Sequence, residues 1–321
     1  MRVGIVGAGI AGLACARRLT VLGHDAVLFD KGFRPGGRLS TLRLDGRSWD
    51  FGAQYLVPGT GAFSAQVAAW MQSGLVAQWP DGPDGALVGV PDMANLVEAQ
   101  CAGLDVRFKA QIQHIERTPS GWSVSGAGLP REEVAALVIA VPPEQAIPLV
   151  SLHDFAMATA MIGTQSQPCW TVMAGFAEPL PALPAYMRDL GPIAWAARNN
   201  SKPGRPAGES WVLQAGPDWS QANLELDRET VAARLIEIFS AQSGCALPPP
   251  VFLKAHRWRF AETSGPLDRI LWNAGLGLGV CGDWCSVARI EGAWLSGTKL
   301  AEAVHAAPAP SGTAAVSGAM A

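Results

Sequence analysis

Three glycines, Gly7, Gly9 and Gly12, are spaced so that bare backbone can approach a phosphate group. They follow the apolar run Val3-Gly4-Ile5-Val6 and lead into a stretch of helical character, Leu13 to Leu22. In that setting Gly7 allows the tight turn from strand to helix. Gly9 admits a pyrophosphate with no side chain in the way, and Gly12 permits close packing of helix on strand. Ile10 and Ala11 complete the turn, and the unpaired amides of the helix N-terminus favour an anion. A second apolar run, Ala26 to Phe29, ends in Asp30, eighteen residues past Gly12, where a carboxylate can accept hydrogen bonds from ribose hydroxyls. The implied chemistry is the binding of a dinucleotide with an unphosphorylated adenosine ribose. A purely structural strand-turn-helix would leave Asp30 unexplained.

The elements that must position these groups follow from pattern. Thr41–Leu44 and Arg47–Phe51 flank Asp45-Gly46, a hairpin signal because the tight turn needs positive φ at both central residues. Phe63, Val67, Trp70 and Met71 mark an amphipathic helix, and Pro91 to Cys101 a second one. Val106 to Ile115 and Trp122 to Val124 predict a small antiparallel meander. Val134 to Val141 has the continuous apolar character of a strand covered on both faces, stopped by Pro142-Pro143. Short β-like runs from Cys169 to Leu213 predict a second, antiparallel sheet, and Gln221 to Ser240 one long helix. Gly277 to Val280 reads as a last strand, and Glu291 to Val304 as a last helix. The fold class expected is α/β, with a Rossmann-type domain and a mixed antiparallel-sheet substrate domain. Residues 1–60, 94–147 and 265–305 are assigned to the first, 61–93 and 148–264 to the second, and 306–321 to a disordered Ala/Pro-rich tail.

Composition excludes several classes. The 321 residues are half apolar and only 16% charged, with a net charge of −3, which suits a globular enzyme and gives no broad attraction to nucleic acid or membrane. No cleavable leader and no membrane-length apolar stretch is read, so a cytoplasmic protein without an obligate protein partner is expected. Six scattered cysteines show no zinc spacing, so reduced thiols and no metal are expected.

The first motif does not separate FAD from NAD. Pro35-Gly36-Gly37-Arg38 after the second strand and Gly282-Asp283 after a late apolar strand resemble the flavoproteins of the amine oxidase group. In that group the glycine pair and arginine lie along the pyrophosphate and flavin side of FAD, and the aspartate binds its ribityl or pyrophosphate region. The segments FDKGFRPGGRLST, DFGAQY, WAARNNSKP, AHRW and VCGDWCSVARIEGAWLSG more closely resemble the bacterial renalases, from the first strand to about Glu302. One departure is Leu56-Val57-Pro58, where that pattern would place a second aromatic after Tyr55. The resemblance implies FAD and oxidation of the 2- and 6-dihydro isomers of NAD(P)H to NAD(P)+; no histidine or cysteine stands in an attachment motif, so a non-covalent flavin is expected. O2 would reoxidise the flavin and yield hydrogen peroxide, a metabolite-repair reaction. It also implies cofactor contacts from Lys31, Gly52, Ala53 and Gln54.

By similarity to that family, Gln54 and Tyr55 would sit beside the flavin and the substrate ring. Arg198, Asn199 and Lys202 combine cationic and amide donors suited to an anionic dinucleotide, although such a run could equally be a solvated turn. His256 is assigned a hydrogen bond to substrate rather than general-base work, because hydride removal from a dihydropyridine frees no proton that demands a base. Glu291, Gly292 and Ala293, at the start of the last helix, would offer amides to the reduced flavin's negative charge, and Trp284 would wall the pocket. Competing readings are a flavin amine oxidase, which two tyrosines in the whole chain ill equip with an aromatic cage, and a non-enzymatic dinucleotide sensor.

Overall fold

In a computed structural model, which describes residues 1–180, 182–264 and 267–307, the first apolar run becomes the strand Arg2–Val6 at the centre of a six-stranded sheet. It pairs in parallel with Asp25–Phe29 on one side and Ala136–Ile139 on the other. Asp105–Arg107 and Leu278–Val280 extend the parallel set outward, and Leu271–Asn273 closes one edge antiparallel. Val3, Ile5, Val138 and Leu278 are fully buried, as expected for parallel strands covered on both faces. The helices Ile10–Val21 and Ile290–Ala306 cover one face, and they touch so closely that a Cβ on Gly297 would lie 2.1 Å from the Ala11 carbonyl oxygen. The other face carries a three-stranded meander of Gln111–Thr118, Gly121–Ala127 and Leu129–Val134, anchored by the Trp122 indole donating to the Leu276 carbonyl at 2.9 Å.

The second sheet has five antiparallel strands in the order Tyr186–Leu190, Ile193–Arg198, Ser210–Ala215, Gln165–Gly175 and Phe252–Ser264. Val231, Leu235 and Phe239 of the helix Arg228–Ser243 seal one face against Trp211 and Leu213. The opposite face receives the hairpin Thr41–Leu44/Arg47–Asp50, where Trp49 stacks on Phe252 at 4.5 Å. Asp45 and Gly46 at the hairpin tip have φ of 48° and 66°, the conformation their types predict. An α/β fold with a Rossmann-type sheet and a second, antiparallel sheet thus stands.

Three sequence expectations change; the strand expected over Val134–Val141 divides at Ala135, Val134 ending the meander strand Leu129–Val134 and Ala136–Ile139 joining the parallel sheet. The β run at Val106–Ile115 divides, because Lys109 turns at φ 57° and its amide binds the Gly32 carbonyl; Asp105–Arg107 joins the parallel sheet and Gln111–Thr118 starts the meander. The helix expected over Gln221–Ser240 is two helices, Pro217–Ala222 and Arg228–Ser243. Asp227 caps the second by accepting the Thr230 amide at 2.7 Å, a stop-and-restart that hydrophobic periodicity alone does not register. The last helix runs through Ala306; of the tail predicted to be disordered, residues 308–321 lie outside the described residues. No described helix is long and apolar enough to cross a membrane.

Candidate active site

The glycine turn separates into structural and cofactor-facing positions. Gly7, at φ 108°, donates its amide to the Phe29 carbonyl at 2.8 Å, and a Cβ there would lie 2.5 Å from the Ala140 oxygen. A Cβ on Gly12 would lie 2.0 Å from the Gly7 oxygen. Gly9 differs: a Cβ there would meet no atom within 4 Å, and its extended backbone, φ −79°, tolerates any side chain. Nothing in the protein requires glycine at position 9, so the open ground beside it fits a bound phosphate. Ile10 and Ala11 are buried in the first helical turn behind it.

Asp30 accepts the Ala8 amide at 2.7 Å with one oxygen and the Gly32 amide at 2.7 Å with the other. Each oxygen keeps a lone pair for a ribose hydroxyl. The Gly36 amide bonds to the Ala8 carbonyl at 3.3 Å, which lays Gly36-Gly37-Arg38 over the first turn. Arg38 forms a two-pronged ion pair with Asp283, at 2.8 and 2.5 Å, and also donates to the Ala261 carbonyl at 2.9 Å. The two flavoprotein signatures, far apart in the chain, therefore meet. Gly282 donates to the Ser296 hydroxyl at 3.0 Å, and Gly52 packs so tightly that a Cβ would lie 2.1 Å from the Arg38 oxygen. Ala53 bonds the same oxygen at 2.8 Å. Lys31 is exposed and reaches only Gln145, at 3.1 Å. The Glu291 carboxylate is turned away from the last helix's own N-terminus; it accepts the Gly59 and Thr60 amides at 2.9 and 2.6 Å, leaving the Glu291 and Gly292 backbone as that terminus's offer to an anion. Ala293 spends its amide on the Arg289 carbonyl at 3.1 Å.

Below the Gly52–Gln54 loop lies a buried charge network that sequence reasoning missed. Asp50, fully buried, accepts Arg205 at 2.6 Å, Lys202 at 3.2 Å, the Thr41 hydroxyl at 2.7 Å and the Met93 amide at 3.0 Å. Burial pushes the Asp50 carboxyl up, but Lys202 and Arg205 outweigh it and hold it below the ordinary carboxylate range. Burial lowers the Lys202 ammonium to about 8 against the opposing pull of Asp50. Lys202 spends its three protons on Asp50, on the Gln54 side-chain oxygen at 3.1 Å and on Asn199 at 3.2 Å. Its side is closed by the Trp79 ring, 5.3 Å away.

This arrangement corrects three assignments. Gln54, Asn199 and Lys202 are 5%, 0% and 2% exposed, and their polar atoms bond inward. Gln54 donates to the Asp50 and Gly52 carbonyls, and Asn199 to the Ser48 carbonyl at 2.8 Å. Their bonds run within the Asp50 network and to the Gly52–Gln54 loop above it. Two further assignments fail for direction. Arg198 pairs with Glu209 at 3.1 Å and lies over Trp211 on the helix-covered face of the sheet. Trp284 is 1% exposed and donates to the Val141 carbonyl at 3.2 Å, so it fills core.

The sheet face above the loop carries one row of side chains across all five strands. Its register runs Arg188, Trp195, Gln214, Thr171, His256. Gln214 donates to the Gly52 carbonyl at 2.8 Å, fixing the row over the loop. His256 packs against Phe51 and Trp258, at ring separations of 4.9 and 4.3 Å, and its ring nitrogens bond to no described residue. Burial first, then Arg228 and Lys254, lower His256 to about 4, so the imidazole is neutral at working pH and offers one donor and one acceptor. Between about 4 and 6.5 the unfolded chain binds a proton that the folded chain refuses, so stability falls as pH drops through that window. His256→Gln is expected to shrink the fall between pH 7 and 4.5 by about 1–3 kcal/mol, screening included, in urea titrations. An unchanged difference would remove the pKa argument. Cys15, Cys281 and Cys285 are buried with thiols pushed up, so none is poised as a nucleophile.

Residues 5–70 match the model of the NAD(P)-binding Rossmann-like domain, and residues 71–305 that of the flavin containing amine oxidoreductases. The chain belongs to the flavin containing amine oxidoreductase family. Its cofactor is FAD, and the Gly9, Asp30, Arg38 and Asp283 cradle fits that group. Among curated proteins, the chain is 49% identical over 51 residues to a zeta-carotene-forming phytoene desaturase of Myxococcus xanthus, covering 16% of this chain and 10% of that one. It is 40% identical over 52 residues to a 4,4'-diapophytoene desaturase of Staphylococcus aureus, again covering 16% and 10%. The matched stretch thus spans about a tenth of those relatives' length. Among solved structures it resembles a candidate protoporphyrinogen oxidase of Exiguobacterium at TM-score 0.77 and 12% identity, covering 95% and 98% of the two chains. Cyclohexylamine oxidase of Brevibacterium oxydans follows at TM-score 0.70 and 13% identity, covering 95% and 98%. At these identities the likeness is one of fold.

Proposed function

We propose that this flavin-dependent oxidoreductase oxidises isomeric, 2- and 6-dihydro forms of NAD(P)H to NAD(P)+, with O2 as final oxidant and hydrogen peroxide as co-product. The observation that carries this reading is the charge around the cofactor loop. The two buried carboxylates nearest it, Asp50 and Asp283, are each bound to arginine, and Asp50 also to lysine, while the accessible row ends in the exposed cation Arg188. A protonated amine would find no available countercharge in those two groups, whereas an anionic dinucleotide finds a cation. Bound FAD supplies the hydride acceptor. The chain's own residues hold the substrate: Gln214 and the Gly52–Gln54 loop fix the floor, and neutral His256 can hydrogen-bond the ring's carboxamide. Loss of hydride makes the substrate ring an aromatic pyridinium, so orientation is the protein's main task.

The second reading, an amine oxidase, is favoured by one observation: both tyrosines of the chain, Tyr55 and Tyr186, gather with Trp79 and Trp195 in one aromatic cluster. Two tryptophans join the two tyrosines there, so tryptophan supplies what tyrosine alone could not. Aerobic incubation separates the readings. The proposal expects one peroxide per NAD+ formed from 6-dihydro-NAD; peroxide release with cyclohexylamine or putrescine, and none with the dihydro isomers, would replace it with the second.

A further inference from the structure

The cluster at the far end of the substrate row has a feature that flavin binding does not explain. Arg188, on the edge strand, lies 5.8 Å from the Tyr186 ring and 5.1 Å from that of Trp195, and donates to the Tyr55 hydroxyl at 3.2 Å. Tyr186 and Trp195 stack at 5.2 Å with planes 15° apart, and Tyr55 stands 5.5 Å from Trp195. Arg188 makes no ion pair among the described residues, and the buried Trp195 indole nitrogen has no described hydrogen-bond partner. A guanidinium held by aromatic faces and one neutral hydroxyl is oriented yet keeps most of its donors and its whole charge for a ligand. By register, Trp195 lies next to Gln214, which bonds the cofactor-side loop, and Arg188 lies next to Trp195. Two strand spacings, about 10 Å, therefore separate the loop from the cation.

We propose that Arg188, on its shelf of Tyr55, Tyr186 and Trp195, binds the pyrophosphate of the dinucleotide substrate, with the Trp195 indole donating to the same ligand. This rests on the reading above and names its anionic subsite. A planar guanidinium matches a phosphate's paired oxygens, and its stacking on rings fixes the fork before the ligand arrives. The same placement disfavours a cationic amine on the shelf.

The test is calorimetric binding of NAD+ and of nicotinamide riboside, which lacks both phosphates, to FAD-loaded protein. Arg188→Gln is expected to weaken NAD+ at least tenfold, to flatten the salt dependence of its affinity and to leave the riboside unchanged; Arg188→Lys, which keeps the charge without the fork, falls between. Equal NAD+ affinity in wild type and Arg188→Gln, or no NAD+ binding by wild type at millimolar concentration, overturns the proposal. Flavin reduction by the dihydro isomers reads the parent claim separately. Protein that binds NAD+ through Arg188 but is not reduced by them upholds the subsite and refutes the activity, and protein reduced by them with Arg188→Gln indistinguishable does the reverse.

Discussion

Asp50→Ala is expected to destabilise the protein by about 3–5 kcal/mol, the cost of stranding buried cations without their counterion. Lys202 and Arg205 both have fully buried side chains and both bond the same Asp50 oxygen, so removing it leaves two like charges facing each other out of water. Arg205 cannot lose its proton, but Lys202, already lowered to about 8, can. The variant should therefore recover stability as pH rises. Above the folded pKa of Lys202 and below its unfolded value near 10.5, the unfolded chain binds the extra proton, and folding gains with pH. Urea titrations at pH 7 and 9 check both parts; a loss under about 1 kcal/mol at pH 7 would mean that water or another group already neutralises the pair.

Gly9→Val is expected to do the opposite: to leave the apoprotein within about 0.5 kcal/mol of wild type and to weaken FAD by about 100-fold or more. The first half follows because a Cβ there would meet no protein atom within 4 Å and the backbone is extended, a conformation valine favours. The second follows because bulk over the turn denies a pyrophosphate its charge-assisted bonds to the helix amides, each worth about 1.5–3 kcal/mol. Gly12→Ala provides the contrast, since its Cβ would strike the Gly7 oxygen at 2.0 Å and must disturb the fold itself. Denaturation of the apoproteins and titration with FAD separate the two. A Gly9→Val protein that takes up FAD like wild type would move the cofactor away from this turn.

What the chain discloses by itself is local. The glycine turn, Asp30 and the Asp45-Gly46 hairpin are legible because the backbone conformation each needs is written in adjacent residue types. Arg38 and Asp283 were each reached only through resemblance to known flavoproteins, and their pairing was not read at all, since no spacing rule links residues 245 apart. Charge compensation within the core was hidden for the same reason: Asp50 and Arg205 stand 155 residues apart, and alternation along Arg47–Phe51 sets Asp50 on the polar side of its strand. Lys202 and Asn199 looked like donors aimed at an anion because their types are right; the fold turns both inward, where Lys202 serves the Asp50 carboxylate and Asn199 donates to Ser48 while accepting from Lys202 and the Asp50 amide. Arg188 gave no signal at all, because a lone arginine on an edge strand acquires meaning only when Tyr55, 133 residues away, and Trp195 are brought beside it.

The division of labour that results is simple. One sheet supplies the glycine turn, the other the row over the Gly52–Gln54 loop, and the Asp50 network fastens that loop from below.

The most direct test is anaerobic rapid mixing of the FAD-loaded protein with 6-dihydro-NAD and, in parallel, with cyclohexylamine. The account predicts that the dihydro isomer bleaches the flavin band stoichiometrically in a single turnover and that the amine leaves it intact. Bleaching by the amine alone would contradict it.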